Sequence, residues 1–332
     1  VQYPESNPDN IAFRIALTSF GRFAWSVSRP GATLRECFFR SAGCISGAVC
    51  LHKEQLSETV FLLRVRAPLI AHERKAGQFI LLSVDEDYGE RIPLTIADAD
   101  DEEGSITLIF QKVGYTTAKL AALERGDTIA VLLGPLGRPT HIEKVGTVVC
   151  VGGGIGVAPL HPIAQALKAA GNRVVTIIGA RSRDLIILEE RMAAIADELI
   201  VCTDDGSYGR KALVTEPLKE LCERQPPPDL VVAIGPPIMM KFCAETTRPY
   251  NVKTMVSLNT IMVDGTGMCG GCRVMVGDEV KFVCVDGPEF DGHAVDFDGM
   301  MSRLRGYRSQ EEAAMARAHA ETDCRLNTLA NQ

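Results

Sequence analysis

Asp264, Cys269, Cys272 and Cys284 are spaced Asp-x4-Cys-x2-Cys-x11-Cys and open on the stretch MVDGTGMCGGC, residues 262–272. A C-x-x-C pair with a third cysteine downstream has the spacing of a plant-type 2Fe–2S loop, except that its first cysteine is replaced by Asp264. Ferric iron accepts hard oxygen donors as well as thiolates, so a carboxylate can complete a set of two ligands per iron. Gly265, Gly267, Gly270 and Gly271 leave the backbone free to turn its N–H groups toward the sulfurs. The same four side chains also permit a structural zinc site. Downstream, DGPEFDGHAVDFD carries Asp291, His293, Asp296 and Asp298. Acids with one histidine in a Gly-rich turn read as a capped, solvent-facing loop rather than a metal centre.

A second chemistry sits in VCVGGGIGVAPL. Gly152, Gly153, Gly154 and Gly156 follow a strand-like run directly, and Pro159 suits the first turn of a helix. Such a turn lets the backbone approach a pyrophosphate, and the helix start supplies free N–H groups and a positive dipole end. A tight turn with no ligand is the alternative. Two more strand ends carry Gly-rich loops, with Asp204, Asp205 and Gly206 in TDDGS and Gly235 and Pro236 in IGPP; all three loops are expected on one rim. Further upstream, GERIPLTIAD offers Arg91 for a phosphate and Thr95 for a ring nitrogen. In GYTTAKL, Gly114, Thr116 and Thr117 can cap a helix whose start faces phosphate.

These residues must be positioned by two kinds of element. ETVFLLRVRAP, GQFILLSVDE, SITLIF and DTIAVLLGPLG are short β-branched and aromatic runs bounded by Gly or Pro, which predicts a small β-barrel. From Val145 the rhythm becomes strand then helix, repeated through IMMKFCAETT, which predicts a parallel sheet covered by helices. The expected divisions are an extension over 1–46, a barrel over 47–142, an α/β nucleotide domain over 143–250, a cluster domain over 251–299 and a helical tail over 300–332. The extension reads as poorly ordered, and its arginines (Arg14, Arg22, Arg29, Arg35, Arg40) resemble those of an organelle transit peptide.

The bulk numbers bound the partners. A 332-residue chain that is 46% hydrophobic with a net charge of −7 can bury large cores and is a poor match for nucleic acid. No run is long enough to span a bilayer. Of eleven cysteines, several, including Cys150 and Cys202, lie in apolar strand-like runs, which suits free thiols in a reducing compartment and a cytoplasmic location.

In the order barrel, nucleotide sheet, cysteine loop, the chain resembles the ferredoxin-NADP reductase superfamily. The resemblance rests on GERIPLTIAD, GGGIGVAPL, TDDGS, MVDGTGMCGGC and CVDGPEFDGH, and covers roughly residues 47–325. Within it the chain is most similar to the small FAD and 2Fe–2S subunit of NADH-dependent reduced ferredoxin:NADP oxidoreductase, also called the sulfide dehydrogenase α subunit. That family carries an aspartate at the position of Asp264. A more distant likeness is to the electron-transfer subunit of dihydroorotate dehydrogenase, where a fourth cysteine is expected at 264.

The resemblance implies FAD along the barrel, held by Arg91, Pro93, Leu94 and Thr95 and by Gly114, Tyr115, Thr116 and Thr117. It implies NAD(H) or NADP(H) at the three Gly-rich loops, and a 2Fe–2S cluster on Asp264, Cys269, Cys272 and Cys284. The implied activity is hydride exchange between nicotinamide and FAD, then single-electron transfer to the cluster and on to a partner. That partner would be a larger flavin and iron–sulfur subunit, similar to the glutamate synthase small subunit, with ferredoxin reached indirectly. Two positions depart from the superfamily pattern: Ile92 stands where an arginine is common, with Arg91 one residue earlier, and Ile234-Gly235-Pro236 replaces C-G-P. Coenzyme choice stays open, because Arg181, Ser182 and Arg183 suit a 2′-phosphate while Asp184 and Glu189 suit ribose hydroxyls. A non-redox, zinc-bearing nucleotide module is the alternative of another class.

Overall fold

The structure, a computed structural model, describes residues 44–86 and 89–316. The expected poorly ordered extension lies, up to residue 43, outside the described residues, as does the tail beyond residue 316.

Six strands close an antiparallel barrel: β1 (Cys44–Gln55), β2 (Val60–Arg66), β3 (Phe79–Ser83), β4 (Ile92–Asp100), β5 (Ser105–Gln111) and β6 (Thr128–Leu136), in the order β1-β2-β5-β4-β3-β6. Helix α1 (Pro68–Glu73) follows β2 and α2 (Tyr115–Ala122) follows β5. Side chains alternate across a strand with period two, and here both faces of several strands are buried. In β2, Phe61, Leu63 and Val65 fill the barrel, while Val60 and Leu62 join a second core outside it. In β3, Ile80 and Leu82 point inward, while Phe79 and Leu81 join a third core. Burial on both faces is why these strands read as unbroken apolar runs.

The second layer is a sheet in the order β10-β9-β8-β7-β11-β12-β15. Its strands are β7 (Thr147–Gly153), β8 (Arg173–Ala180), β9 (Glu198–Thr203), β10 (Arg210–Lys211), β11 (Leu230–Ile234), β12 (Lys253–Ser257) and β15 (Glu289–Asp291). All pairings are parallel except β12 with β15. Crossover helices are α3 (Val157–Ala169), α4 (Glu189–Ile195), α5 (Thr215–Cys222) and α6 (Pro237–Thr247). The chain leaves β7 toward β8 on one side and returns to β11 on the other. That makes the carboxyl ends of β7 and β11 the switch point, where open α/β sheets bind ligands.

Within the stretch 251–299, expected as a cluster domain, β12 and β15 pair at the edge of this sheet, with Val256 opposite Phe290. Only the hairpin β13 (Arg273–Val276) and β14 (Glu279–Phe282) forms a sheet of its own. The short helix α7 (Val283–Asp286) follows it, then α8 (Phe297–Leu304), and residues 308–316 are helical. One core mixes Phe79 and Leu81 of the barrel, Val149 and Val231 of the sheet, and Met262, Cys272 and Cys284 of the cysteine loop. Another joins Val60, Leu62, Ala97 and Ile109 of the barrel to Val157, Leu160 and Ile163 of α3. Shared apolar cores of this kind fix the parts against one another, because separating them would expose the buried side chains to water. Among the described residues no helix is long and apolar enough to cross a membrane.

Candidate functional site

A cavity of about 2070 Å³ opens where the barrel, the sheet and the cysteine loop meet. Arg91, Pro93, Leu94 and Thr95 line it from β4 and the residue before it. Gly114, Tyr115, Thr116 and Thr117 line it from the start of α2. There Thr117 Oγ1 accepts hydrogen bonds from the Gly114 and Val113 amides at 2.9 and 3.0 Å, so the helix start is tied down before any ligand arrives. Thr116 Oγ1 donates to Glu90, and Lys119 Nζ donates to Asp85 at 2.6 Å while lying 4.4 Å from the Tyr115 ring centroid. Glu90, Asp85 and Lys119 are cavity residues that the sequence reading missed. Glu90 is the second residue of GERIPLT, but a lone acid there carries no pattern.

The glycine-rich turn serves the chain as well as any ligand. A Cβ on Gly156 would strike the Ile234 carbonyl and lie 2.7 Å from Gly235 Cα; one on Gly153 would strike Met239. These glycines let β7 pass close to the β11 loop. Gly154 differs: its φ is +54°, and nothing lies within 4 Å of where a Cβ would be. Gly156 and Gly235 line the cavity, with Pro236 next to it at the cap of α6, while Gly152 and Gly153 are buried at the end of β7.

Asp204, Asp205 and Gly206 are not among the cavity's lining. They follow β9, two strands from β7, on the same carboxyl edge. Asp205 accepts from the Ser207 amide, and Ser207 Oγ from the Arg183 amide. Arg183 stacks over Tyr208, whose hydroxyl donates to Glu189 at 2.9 Å.

In the cysteine loop, Cys272 and Cys284 are buried with their sulfurs 3.2 Å apart, and Cys269 is exposed. Burial, then the Cys272 thiol beside it, pushes the Cys284 thiol up to about 12. Such a thiol stays protonated near neutrality unless a cation takes the proton's place. Two amides point at sulfur: Gly271 to Cys269 at 3.4 Å and Cys284 to Cys272 at 3.5 Å. Asp264 is turned into its own loop, where Oδ1 accepts from the Thr266 amide at 2.9 Å and Oδ2 from the Cys269 amide at 2.7 Å. Burial acts to raise the Asp264 carboxyl, but these amides outweigh it and hold it below the usual carboxylate range. Among the described residues no group of three or more His, Cys, Asp or Glu side chains is gathered to hold a single metal ion. The donor set nonetheless fits an iron–sulfur group, with two thiols and an ionised carboxylate on the 264–272 loop, a third thiol from α7 beside Cys272, and amides that already face sulfur. Gly265, Gly267 and Gly270 have φ of +73°, +83° and +65°, which a loop of this curvature needs.

Cys269 and Gly271 line the same cavity as the β4 and α2 residues, whereas Asp264, Cys272 and Cys284 do not. Arg273, Arg303 and the helical stretch 308–316 also line it. No local pattern points to Arg303, which reaches Gly271 from 32 residues away. The second acidic cluster does local work. Asp296 caps α8, Asp298 pairs with Lys241, Asp291 accepts from the His293 amide, and His293 Nε2 lies 2.9 Å from Thr247 Oγ1.

Residues 259–296 match the iron–sulfur cluster binding domain of dihydroorotate dehydrogenase B. The chain is 48% identical over 265 residues to a dihydroorotate dehydrogenase B (NAD(+)) electron transfer subunit homolog of Thermotoga maritima, covering 80% of this chain and 93% of that one. It is 36% identical to a probable subunit of the same name from Methanopyrus kandleri, covering 79% and 97%. Among solved structures, a chain from the NADH-dependent reduced ferredoxin-NADP oxidoreductase, described for flavin-based electron bifurcation, is 46% identical with a TM-score of 0.77, covering 82% and 98%. A cytochrome P450 reductase from Amycolatopsis, 23% identical with a TM-score of 0.52 over 63% of this chain and 67% of that one, shares the fold alone. With a barrel, a switch-point sheet and a cysteine loop opening on one cavity, the chain belongs to the family of dihydroorotate dehydrogenase B electron transfer subunits and their homologues.

Proposed function

We propose that this chain moves electrons between a nicotinamide nucleotide, FAD and a 2Fe–2S cluster, and hands them singly to a partner subunit. The observation that carries the reading is the shared cavity. Thr95 of β4, Tyr115 at the start of α2, Gly156 and Gly235 of the switch point, and Cys269 of the cysteine loop all open into it. Bound FAD would supply the conversion that this layout calls for, because nicotinamide gives two electrons as hydride and an iron–sulfur centre takes one at a time.

The chain's own residues then have separable tasks. The start of α2 presents amides to a pyrophosphate, with Arg91 as the nearby cation. The Gly152–Gly156 turn and Gly235 let a second nucleotide come close to the backbone. Asp264, Cys269, Cys272 and Cys284 would hold the cluster, with the Gly271 and Cys284 amides donating to sulfur. Exposed Cys269 is flanked by Met268, 88% exposed, and Val263 and Val285 are exposed nearby. Apolar groups this open suit cover by another protein.

The partner we favour is a larger flavin and iron–sulfur subunit serving ferredoxin and NADP, which the 46% identical bifurcating relative supports together with Asp264 at the first ligand position. A dihydroorotate-oxidising partner is the second reading, supported by the names of the other relatives. The buried free thiols Cys150, Cys202, Cys222 and Cys243 suit the reducing cytoplasm.

The test is anaerobic purification with iron, sulfide and flavin counted per chain, followed by stopped-flow flavin reduction with NADH and with NADPH. Flavin and iron–sulfur absorption bands with reduction by one coenzyme are expected. Colourless, iron-free protein after reconstitution refutes the reading, and the protein that co-purifies separates the two partners.

A further inference from the structure

Two arginines with no part in that scheme converge on the turn between Cys269 and Cys272. Arg273 Nη1 donates to the Gly270 carbonyl at 3.1 Å, and an Arg303 Nη2 donates to the Gly271 carbonyl at 3.1 Å. Both side chains line the shared cavity, and among the described residues neither forms an ion pair with a carboxylate. Arg303 is delivered by packing rather than by sequence proximity. Its helix α8 is capped by Asp296, held to α6 through Lys241 and Asp298, and buries Phe297 and Met300 in the core that contains Cys272 and Cys284.

A peptide unit joins the carbonyl of one residue to the N–H of the next. The Gly270 carbonyl and the Gly271 N–H are one such unit: its oxygen takes Arg273, and its N–H donates to Cys269 Sγ at 3.4 Å. Drawing electron density to the oxygen makes the N–H a stronger donor, because hydrogen bonds in a chain polarise one another. A stronger donor to a ligand sulfur, like a cation nearby, favours the more negative and therefore reduced form of an iron–sulfur group.

We propose that Arg273 and Arg303 are positioning residues that raise the reduction potential of the cluster held by this loop, Arg273 by polarising the Gly270–Gly271 peptide unit and Arg303 by fixing its charge at the Gly271 carbonyl. The proposal rests on the loop being a 2Fe–2S site. Arginines that only held the turn closed would affect iron retention and leave the potential alone.

The experiment is an EPR-monitored redox titration of the full chain with iron counted per chain, in 0.1 and 0.5 M salt. Arg273→Gln is expected to disfavour reduction about threefold, roughly 30 mV more negative at 59 mV per tenfold for one electron. Arg303→Gln is expected to act in the same direction by about twofold, and Arg273→Lys to recover at least half of the Arg273→Gln shift. Most of each shift should survive high salt, since screening weakens long-range charge effects more than contacts at hydrogen-bond distance. If Arg273→Gln loses iron, Arg303→Gln decides: a shifted potential supports the proposal and an unchanged one overturns it. Unchanged potentials in iron-replete variants, or loss of iron from both glutamine variants, overturn it. A parent protein with no iron–sulfur signal after reconstitution shows instead that the reading of the loop has failed.

Discussion

Replacing Asp264 separates its two candidate roles, because the structure already gives the carboxylate one of them. It accepts the Thr266 and Cys269 amides at 2.9 and 2.7 Å, closing the loop that carries the first cysteine. A hydrogen bond to an ionised group contributes ~1.5–3 kcal/mol. At this solvent-facing loop the low end applies, so Asp264→Ala should cost about 3 kcal/mol of loop order. At 1.4 kcal/mol per tenfold that is on the order of a 100-fold loss of the closed loop. Asp264→Asn keeps one acceptor but turns an N–H₂ toward the other amide, so roughly half the order should remain. The assay pairs hydrogen exchange across 264–272 with iron content and the EPR spectrum. A ligand role requires Asp264→Asn to lose iron or change its spectrum more than its loop order implies, and Asp264→Cys to keep iron with an altered spectrum. Loosened exchange with the parent's iron and spectrum would mean that Asp264 shapes the loop without touching the cluster. If exchange, iron and spectrum were all unchanged in Asp264→Ala, the loop argument itself would fail.

Further outcomes are expected elsewhere. Gly156→Ala drives a methyl into the backbone of Ile234 and Gly235, so it should cost ~1–3 kcal/mol in chemical denaturation and weaken nucleotide binding. At Gly154 the space is open and only the φ of +54° opposes a side chain, so alanine should cost about 1 kcal/mol; equal losses at the two sites would contradict this. Arg91→Ala should leave the fold intact and weaken FAD binding about tenfold, as loss of one charge-assisted phosphate contact implies; unchanged affinity by flavin fluorescence would remove Arg91 from the site. The half-buried Glu289 carboxyl is pushed above its ordinary value of 4.5 by burial, with the Thr140 hydroxyl pulling the other way. The folded chain therefore holds this proton longer than the unfolded one, and stability is lost as pH rises from about 4.5 through the raised value. Glu289→Gln, which still accepts from Thr140, should raise the Tm at pH 8 more than at pH 5, and an equal change at both would refute the assignment.

Local pattern alone determined a good deal of this protein. Short β-branched and aromatic runs bounded by Gly or Pro marked the barrel strands, the strand-then-helix rhythm after Val145 marked the parallel sheet, and the spacing from Asp264 to Cys284 marked the cysteine loop. Each is legible because its signal lies between residues close along the chain. Tertiary structure decided what those signals could not carry. Phe79 and Leu81 serve one core while Ile80 and Leu82 serve another, β15 adds itself to a sheet begun far upstream, and Arg303 reaches the Gly271 carbonyl. It also placed Gly156 and Gly235 on the cavity with Cys269, and left Asp204 and Asp205 off it. Which loops meet depends on strand order and on apolar faces shared by distant segments, and neither is written in the spacing of any one motif.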